Sequence, residues 1–277
     1  SNRCMIGGMV GNNSSGSTSI RYGVTRDKVL QIDGVLSDGS LVSFKELTSK
    51  EFKLKTQIKS LEGSIYASIY NELSQELVQQ EIKNQFPKPS IHRRNTGYAV
   101  DELLDSDLFG GKDPSINIAK LLSGSEGTLV FSTAITLQLD TVQPKESVII
   151  ASHFESIKES LKATVLAMNH ELYACELMDK VILDCTKNNR EQAKNRFFIE
   201  GDPEAILMFE VSGDTKEEAQ KKADELISNL NENNYGYHHP KVVGENIKRM
   251  FNLRKAGLGL LGNIIGDKKA VACIEDT

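Results

Sequence analysis

Cysteine is scarce and scattered in this chain. Cys4, Cys175, Cys185 and Cys273 form no CxxC pair, which argues against a zinc knuckle or cluster site among them. Their mostly apolar surroundings point to buried, reduced thiols in a cytoplasmic protein. No apolar run approaches the roughly 20 residues that a membrane-spanning helix needs, and no secretory leader is visible. Surplus basic charge is missing too. The 33 Lys and Arg stand against 38 Asp and Glu, for a net charge of -5, and Lys216, Lys221 and Lys222 alternate with acids. A phosphate backbone asks for a basic face, so nucleic acid is not the expected partner. There is no solenoid-type repeat and no low-complexity tract. The five histidines suggest no metal site. His238 and His239 are adjacent, and in a strand they would point to opposite faces. His92 sits beside Arg93 and Arg94 in a basic loop.

What remains is an ordinary globular chain of 277 residues, 39% hydrophobic and 26% charged. That is enough for one large domain or two ordinary ones. Pro144 and Lys145 mark the expected boundary, giving domains 1–143 and 144–277. In the first, Ile20 to Phe44 reads as β structure, with a hairpin signal at Asp38-Gly39. Lys45 to Pro89 has apolar residues near helical spacing and reads as a helical insertion. The β-branched second half of Ile116 to Leu139 predicts a strand pair. In the second domain, SVIIASHF, ELYACEL and AILMFEVSG (Ala205 to Gly213) read as strands. Glu155 to Asn169 and Asp214 to Asn233 read as helices, the latter with Asp214 or Thr215 as N-cap, and MDKVILDCTK as a short helix. A further strand-helix-strand run ends at VACIED. Two β-α-β halves predict a ferredoxin-like α+β domain with an antiparallel sheet.

Two glycine clusters carry the chemistry. IGGMVGNNSSG, Ile6 to Gly16, sets Gly7, Gly8, Gly11 and Gly16 around Asn12, Asn13, Ser14 and Ser15. Glycine allows positive φ and close approach of a ligand to the main chain, and exposed N–H groups in a concave turn attract anions. Such a loop suits a diphosphate or a flat, heteroatom-rich ring. The second cluster, Ser123-Gly124-Ser125-Glu126-Gly127-Thr128-Leu129, lies directly before a strand and offers hydroxyls at Ser125 and Thr128. Either cluster alone could be a plain turn. Both in one chain, more than a hundred residues apart, point to a shared ligand.

IGGMVGNNSSG, then SIRYG, VLQIDGVLSDG, NTGY and GSEGTL in that order resemble the FAD-linked oxidase and dehydrogenase family, with the vanillyl-alcohol-oxidase-type flavin fold. Its members include D-lactate, glycolate and D-2-hydroxyglutarate dehydrogenases. The match is densest over Ser1 to Leu139. The closing LRKAGLGLLGNIIGDKKAVACIEDT resembles large members fused to an iron–sulfur domain.

The resemblance implies an α+β chain: the later half of the FAD-binding domain, then part of the ferredoxin-like substrate domain. It implies FAD contacts from Gly7, Gly8, Met9, Val10, Gly11, Asn12, Asn13, Ser14, Ser15 and Gly16. Tyr22 and Gly23, and Gly124, Ser125, Glu126, Gly127, Thr128 and Leu129, are implied with them. Asn95, Thr96, Gly97 and Tyr98 match a run near the same site. Arg254, in NLRKAG, matches an arginine that clamps the substrate carboxylate, a task its planar fork suits. Lys268 and Lys269 match no family lysine cleanly, and no catalytic base is assigned.

The implied reaction is oxidation of a 2-hydroxy acid by hydride transfer to flavin, with an iron–sulfur domain or subunit as electron acceptor. The implied location is cytoplasmic, either free or at the inner face of the membrane. Oxidation of another alcohol or a sugar, and a non-catalytic docking module, are the alternatives. A PxGGGT diphosphate loop should precede these residues in the family, and a histidine-bearing motif should follow IEDT. The chain is therefore expected to be a piece of a longer enzyme, inactive alone and binding FAD weakly or not at all. Each lost charge-assisted N–H contact to phosphate costs about 1.5–3 kcal/mol.

Overall fold

A computed structural model describes residues 4–94, 97–187 and 189–261. They fall into two compact units, one of residues up to 16 with 23–140, the other of 17–22 with the residues from 141 onward.

The chain opens with α1 (Ile6–Gly11), α2 (Ser19–Tyr22), which groups with the second unit, and α3 (Thr25–Lys28). The hairpin β1 (Val29–Val35) and β2 (Leu41–Thr48) follows. Its turn holds Gly39 at φ +83°, and the Asp38 carboxylate accepts from the Ser40 N–H at 2.9 Å and hydroxyl at 2.6 Å. The insertion forms α4 (Ser49–Lys55), α5 (Leu61–Leu73) and α6 (Glu76–Gln85). Then come β3 (Ser115–Asn117), α7 (Ala119–Leu122) and β4 (Phe131–Leu137).

The sheet order is β3-β2-β1-β4, antiparallel throughout. Ile32 of β1 and Phe44 of β2 face a core with Phe52, Tyr66 and Leu103. At Gly34 the strands approach so closely that a Cβ would lie 2.7 Å from Val130 Cγ2. The β1–β4 register slips there.

Three sequence expectations change. The Ile6–Gly16 loop is helical in its first half, because Met5 O and Gly8 O accept from Met9 N–H and Asn12 N–H, each at 3.0 Å. The β reading from Ile20 is interrupted by α2 and α3. The Asp27 carboxylate accepts from the Val24 N–H at 2.7 Å and closes the α3 turn. The predicted strand pair is the single strand β4, and its partner is β1. Asn117 ends β3 by accepting from Ala119 N–H at 2.9 Å while donating to Leu30 O at 2.9 Å, so the chain turns instead of continuing.

The second unit contains β5 (Glu146–Phe154), α8 (Ile157–Ala167), β6 (Ala174–Asp179), α9 (Lys180–Lys187), α10 (Arg190–Ala193), β7 (Ala205–Gly213), α11 (Lys216–Glu232), β8 (Lys241–Val243) and α12 (Glu245–Leu261). The order β6-β7-β5-β8 places β7 antiparallel between β5 and β6, the split β-α-β arrangement of a ferredoxin-like fold. Alternation along each strand supplies two cores. Ile150, Leu207 and Phe209 pack with Ala163 of α8 and Leu226 of α11. Ile149, Ile206 and Met208 pack with Leu183 of α9 and Leu253 of α12 on the other face. Thr215 caps α11, its hydroxyl accepting from the Glu218 N–H at 3.2 Å. VACIED lies outside the described residues.

Cys4 is exposed, unlike the buried thiols expected from its neighbours, and Cys175 and Cys185 are half-buried. Burial pushes the Cys175 thiol up to about 11. The adjacent histidines go to different partners. His238 Nε2 lies 3.2 Å from a Glu200 carboxylate oxygen, and His239 Nδ1 lies 2.9 Å from the Ser152 hydroxyl. Among the described residues no group of three or more His, Cys, Asp or Glu could hold a metal, and no helix is long and apolar enough to cross a membrane.

Candidate functional site

The two glycine clusters meet inside the first unit. The Gly124 N–H donates to Val10 O and the Glu126 N–H to Gly11 O, both at 2.9 Å. The fully buried Ser123 adds a hydroxyl bond to Val10 O at 3.3 Å. A Cβ on Gly11 would sit 3.7 Å from the Glu126 Cα. Positive φ at Asn13 (47°), Gly124 (95°), Glu126 (53°) and Gly127 (75°) bends both turns. Asparagine tolerates that region better than most residues.

Asn13 is buried and works as a junction. Its side-chain oxygen accepts from the Arg26 N–H at 2.8 Å, and its amide donates to Arg94 O at 3.4 Å. The Arg26 guanidinium then reaches the second turn, donating to Ser123 O at 2.8 Å and Lys120 O at 3.1 Å. Arg26 is only 3% exposed. Burial lowers its pKa, opposed chiefly by the charge of Glu102. One buried arginine thus ties both turns together. Sequence reading missed it, because its partners lie more than ninety residues away and Arg26 stands in a stretch read as β.

The joined turns border two hollows. One, of about 230 Å³, is lined by Gly7, Val10, Gly11, Ser125 and Gly127 with Leu122, Val130, Phe131 and Ser132. The other, of about 350 Å³, is lined by Gly127, Thr128 and Leu129 with Val35, Leu36 and Ser37. Cβ atoms built on Gly7, Gly8 or Gly127 would meet no protein atom within 4 Å. At Gly7 and Gly8 no protein contact requires glycine, whereas a flat ligand pressed against bare backbone would; Gly127, at φ +75°, has a backbone reason of its own. The site residues fit one wall of a flavin nucleotide site.

Tyr98 joins this wall, its hydroxyl 2.7 Å from the Thr128 hydroxyl, which donates onward to Ser125 O at 2.6 Å. Gly97 is exposed, and Asn95 and Thr96 lie outside the described residues. Ser14 meets the start of α3, and Ser15 meets the basic loop. Ser14 O accepts from the Thr25 hydroxyl at 2.6 Å, and Arg93 Nε donates to the Ser15 hydroxyl at 2.7 Å. The Asn12 amide donates to the Ser14 hydroxyl at 3.1 Å. Met9 is half-buried, and Gly8 and Gly16 are exposed.

Three candidates make contacts of their own. Gly23 has a local reason to be glycine: at φ +76° its Cβ would lie 2.2 Å from an Asp27 carboxylate oxygen. Tyr22 groups with the second unit, its ring edge-on to Tyr173 at 6.0 Å. Arg254, also in the second unit, pairs with Glu176 of β6.

Comparison with known proteins finds two flavin-family patterns along the chain. The pattern described as FAD binding domain matches residues 1–45, and that described as FAD linked oxidases, C-terminal domain matches residues 143–277. The chain is 26% identical to a D-2-hydroxyglutarate dehydrogenase of Pantoea ananatis, over 100% of this chain and 27% of that protein. It is 27% identical to the enzyme of that name from Pseudomonas putida, with the same coverage. A D-lactate dehydrogenase of Archaeoglobus fulgidus is 25% identical over 80% of this chain and 35% of its own length. The chain therefore spans about a quarter of the first two relatives. Among solved structures, an alkyldihydroxyacetonephosphate synthase shares the fold with a TM-score of 0.51 at 12% identity, covering 93% of this chain and 36% of that one. With both domain patterns matched in order, the chain belongs to the FAD-linked oxidase family.

Proposed function

We propose that this chain is part of a longer FAD-dependent enzyme that oxidises a 2-hydroxy acid of the D-lactate, glycolate or D-2-hydroxyglutarate type. Residues 1–143 are the later part of its flavin domain, and residues 144–277 the start of its substrate domain. The observation that carries this reading is the interlocked pair of glycine turns, with open space at Gly7, Gly8 and Gly127. The activities named for the relatives supply the substrate class.

FAD, when bound, supplies the hydride acceptor. The chain's own residues bind and orient. Gly7 to Gly16, and Gly124 to Leu129 with Tyr98, form a wall on which a ring can lie flat and shed water. Arg254 receives the substrate carboxylate through its planar fork and holds it in one orientation. An iron–sulfur domain or subunit is the electron acceptor, and the location is cytoplasmic.

Two measurements on the full-length protein test this. Its visible spectrum should show stoichiometric flavin, and a colourless protein would refute the reading. Arg254→Met should lower kcat/KM for 2-hydroxy acids by roughly a hundredfold or more, the worth of a charged pair of hydrogen bonds. A substrate screen that favours sugars over hydroxy acids would reassign the substrate.

A further inference from the structure

Glu176 is a carboxylate sunk into the second unit, with its side chain only 11% exposed. It lies directly opposite Met208 across the β6–β7 ladder, and paired residues point to the same face of a sheet. Met208 belongs to the face packed by Met250 and Leu253 of α12, so Glu176 lies on that face. A carboxylate withdrawn from water needs a cation or donors beside it. Arg254, the residue after buried Leu253, supplies one through Nη2 while its own side chain stays 40% exposed.

A second feature fixes the reach of that arginine. At Gly257, three residues on, a Cβ would lie 2.4 Å from Ile182 Cγ2 of α9. Only glycine lets α12 press this close to α9. Main-chain packing thus sets where Arg254 starts, and Glu176 sets where its guanidinium stops. A guanidinium carries five N–H donors. The corner held by Glu176 is the deep one, and the exposed remainder stays available to an incoming anion.

We propose that Glu176 is the positioning residue for Arg254, holding the guanidinium ready for the carboxylate of a 2-hydroxy acid. This rests on the clamp reading of Arg254 given above. A long arginine side chain that must be frozen on binding weakens affinity, and one already tethered does not. The tether therefore acts on substrate capture and leaves the hydride step alone.

The test is steady-state kinetics on the full-length flavoprotein, with D-lactate and D-2-hydroxyglutarate as substrates and oxalate as an inert competitor. Glu176→Ala should raise KM roughly tenfold, as expected for one freed side chain, with kcat and flavin content retained. The inhibition constant of oxalate should rise by the same factor. Glu176→Met, which fills the same volume without leaving a buried charge, should do likewise should the alanine variant fail to fold. Glu176→Gln, which can still accept from Nη2, should restore KM to within about threefold. In an Arg254→Met background, Glu176→Met should change KM no further, because coupled residues are not additive.

The outcomes separate the two claims. If Arg254→Met leaves kcat/KM unchanged, the clamp itself falls. If Arg254→Met is crippled while Glu176→Met keeps a normal KM and oxalate constant, positioning by Glu176 is overturned and the clamp survives. A loss of thermal stability without a change in KM marks Glu176 as a structural pin and overturns the proposal too.

Discussion

β5 and β7 of the second unit are buried along nearly their whole length, whereas β4 of the first unit is exposed along most of its own. The second unit has helices on both faces of its sheet, and its order rests on side-chain volume. The first unit's candidate site rests on main-chain groups: Val10 O, Gly11 O and Ser123 O are held by two N–H groups, a hydroxyl and one guanidinium. Packed cores resist loss of volume. Turns of this kind resist loss of a donor and tolerate added volume where the backbone faces open space.

Substitutions can break that contrast. The largest expected effect lies in the doubly covered sheet. Phe209→Ala should destabilise the second unit by about 3–5 kcal/mol, the usual cost of removing a buried aromatic side chain, read from urea unfolding. Arg26→Met should cost the first unit about 3 kcal/mol, because the buried Ser123 carbonyl and the half-buried Lys120 carbonyl lose a charged donor. Unlike the phenylalanine change, it should also lower flavin content in the full-length protein.

Acid should weaken the second unit more gently. Burial lowers the pKa of His153, and of His239 with it, below the usual 6.5. His153 is held neutral between Ala151 O at 2.8 Å and the Glu200 N–H at 3.2 Å. The unfolded chain takes up these protons near 6.5, while the folded chain takes them up only at lower pH. Stability from this source is complete above about 6.5 and is lost as pH falls below it. The urea midpoint should therefore drop between pH 7.5 and 5.5, and His239→Asn should remove part of that slope.

The smallest stability effect sharpens the contrast most. Gly7→Ala adds a methyl group that meets no protein atom and removes a flexible residue from α1. Stability should hold or rise by about 0.5–1 kcal/mol, while flavin content in the full-length protein should fall. Full flavin retention would remove Gly7 from the cofactor wall.

The second unit was legible because its signals are local and periodic. AILMFEVSG forms β7 over the residues expected, and Thr215 caps α11 as its sequence suggests. The insertion was legible for the same reason, as three amphipathic helices between β2 and β3. The site was legible only as two glycine-rich patches. That they interlock, and that Arg26 and Asn13 fasten them, depends on contacts across roughly a hundred residues, which no spacing rule encodes. The Glu176–Arg254 pair was hidden in the same way, since only the packing of α12 brings those residues together. Gly23 carries a second reason to be glycine that its sequence neighbourhood does not display. Here the crowding comes from Asp27.

The bond network around Arg26 has a temporal consequence. Its two ends belong to segments separated by the hairpin, the helical insertion and β3, so completing the network means closing a loop of more than ninety residues around Phe44, Phe52 and Tyr66. The joined turns are accordingly expected to form late in folding. In refolding of the full-length protein, recovery of protein-bound flavin should then lag behind the gain of helical signal.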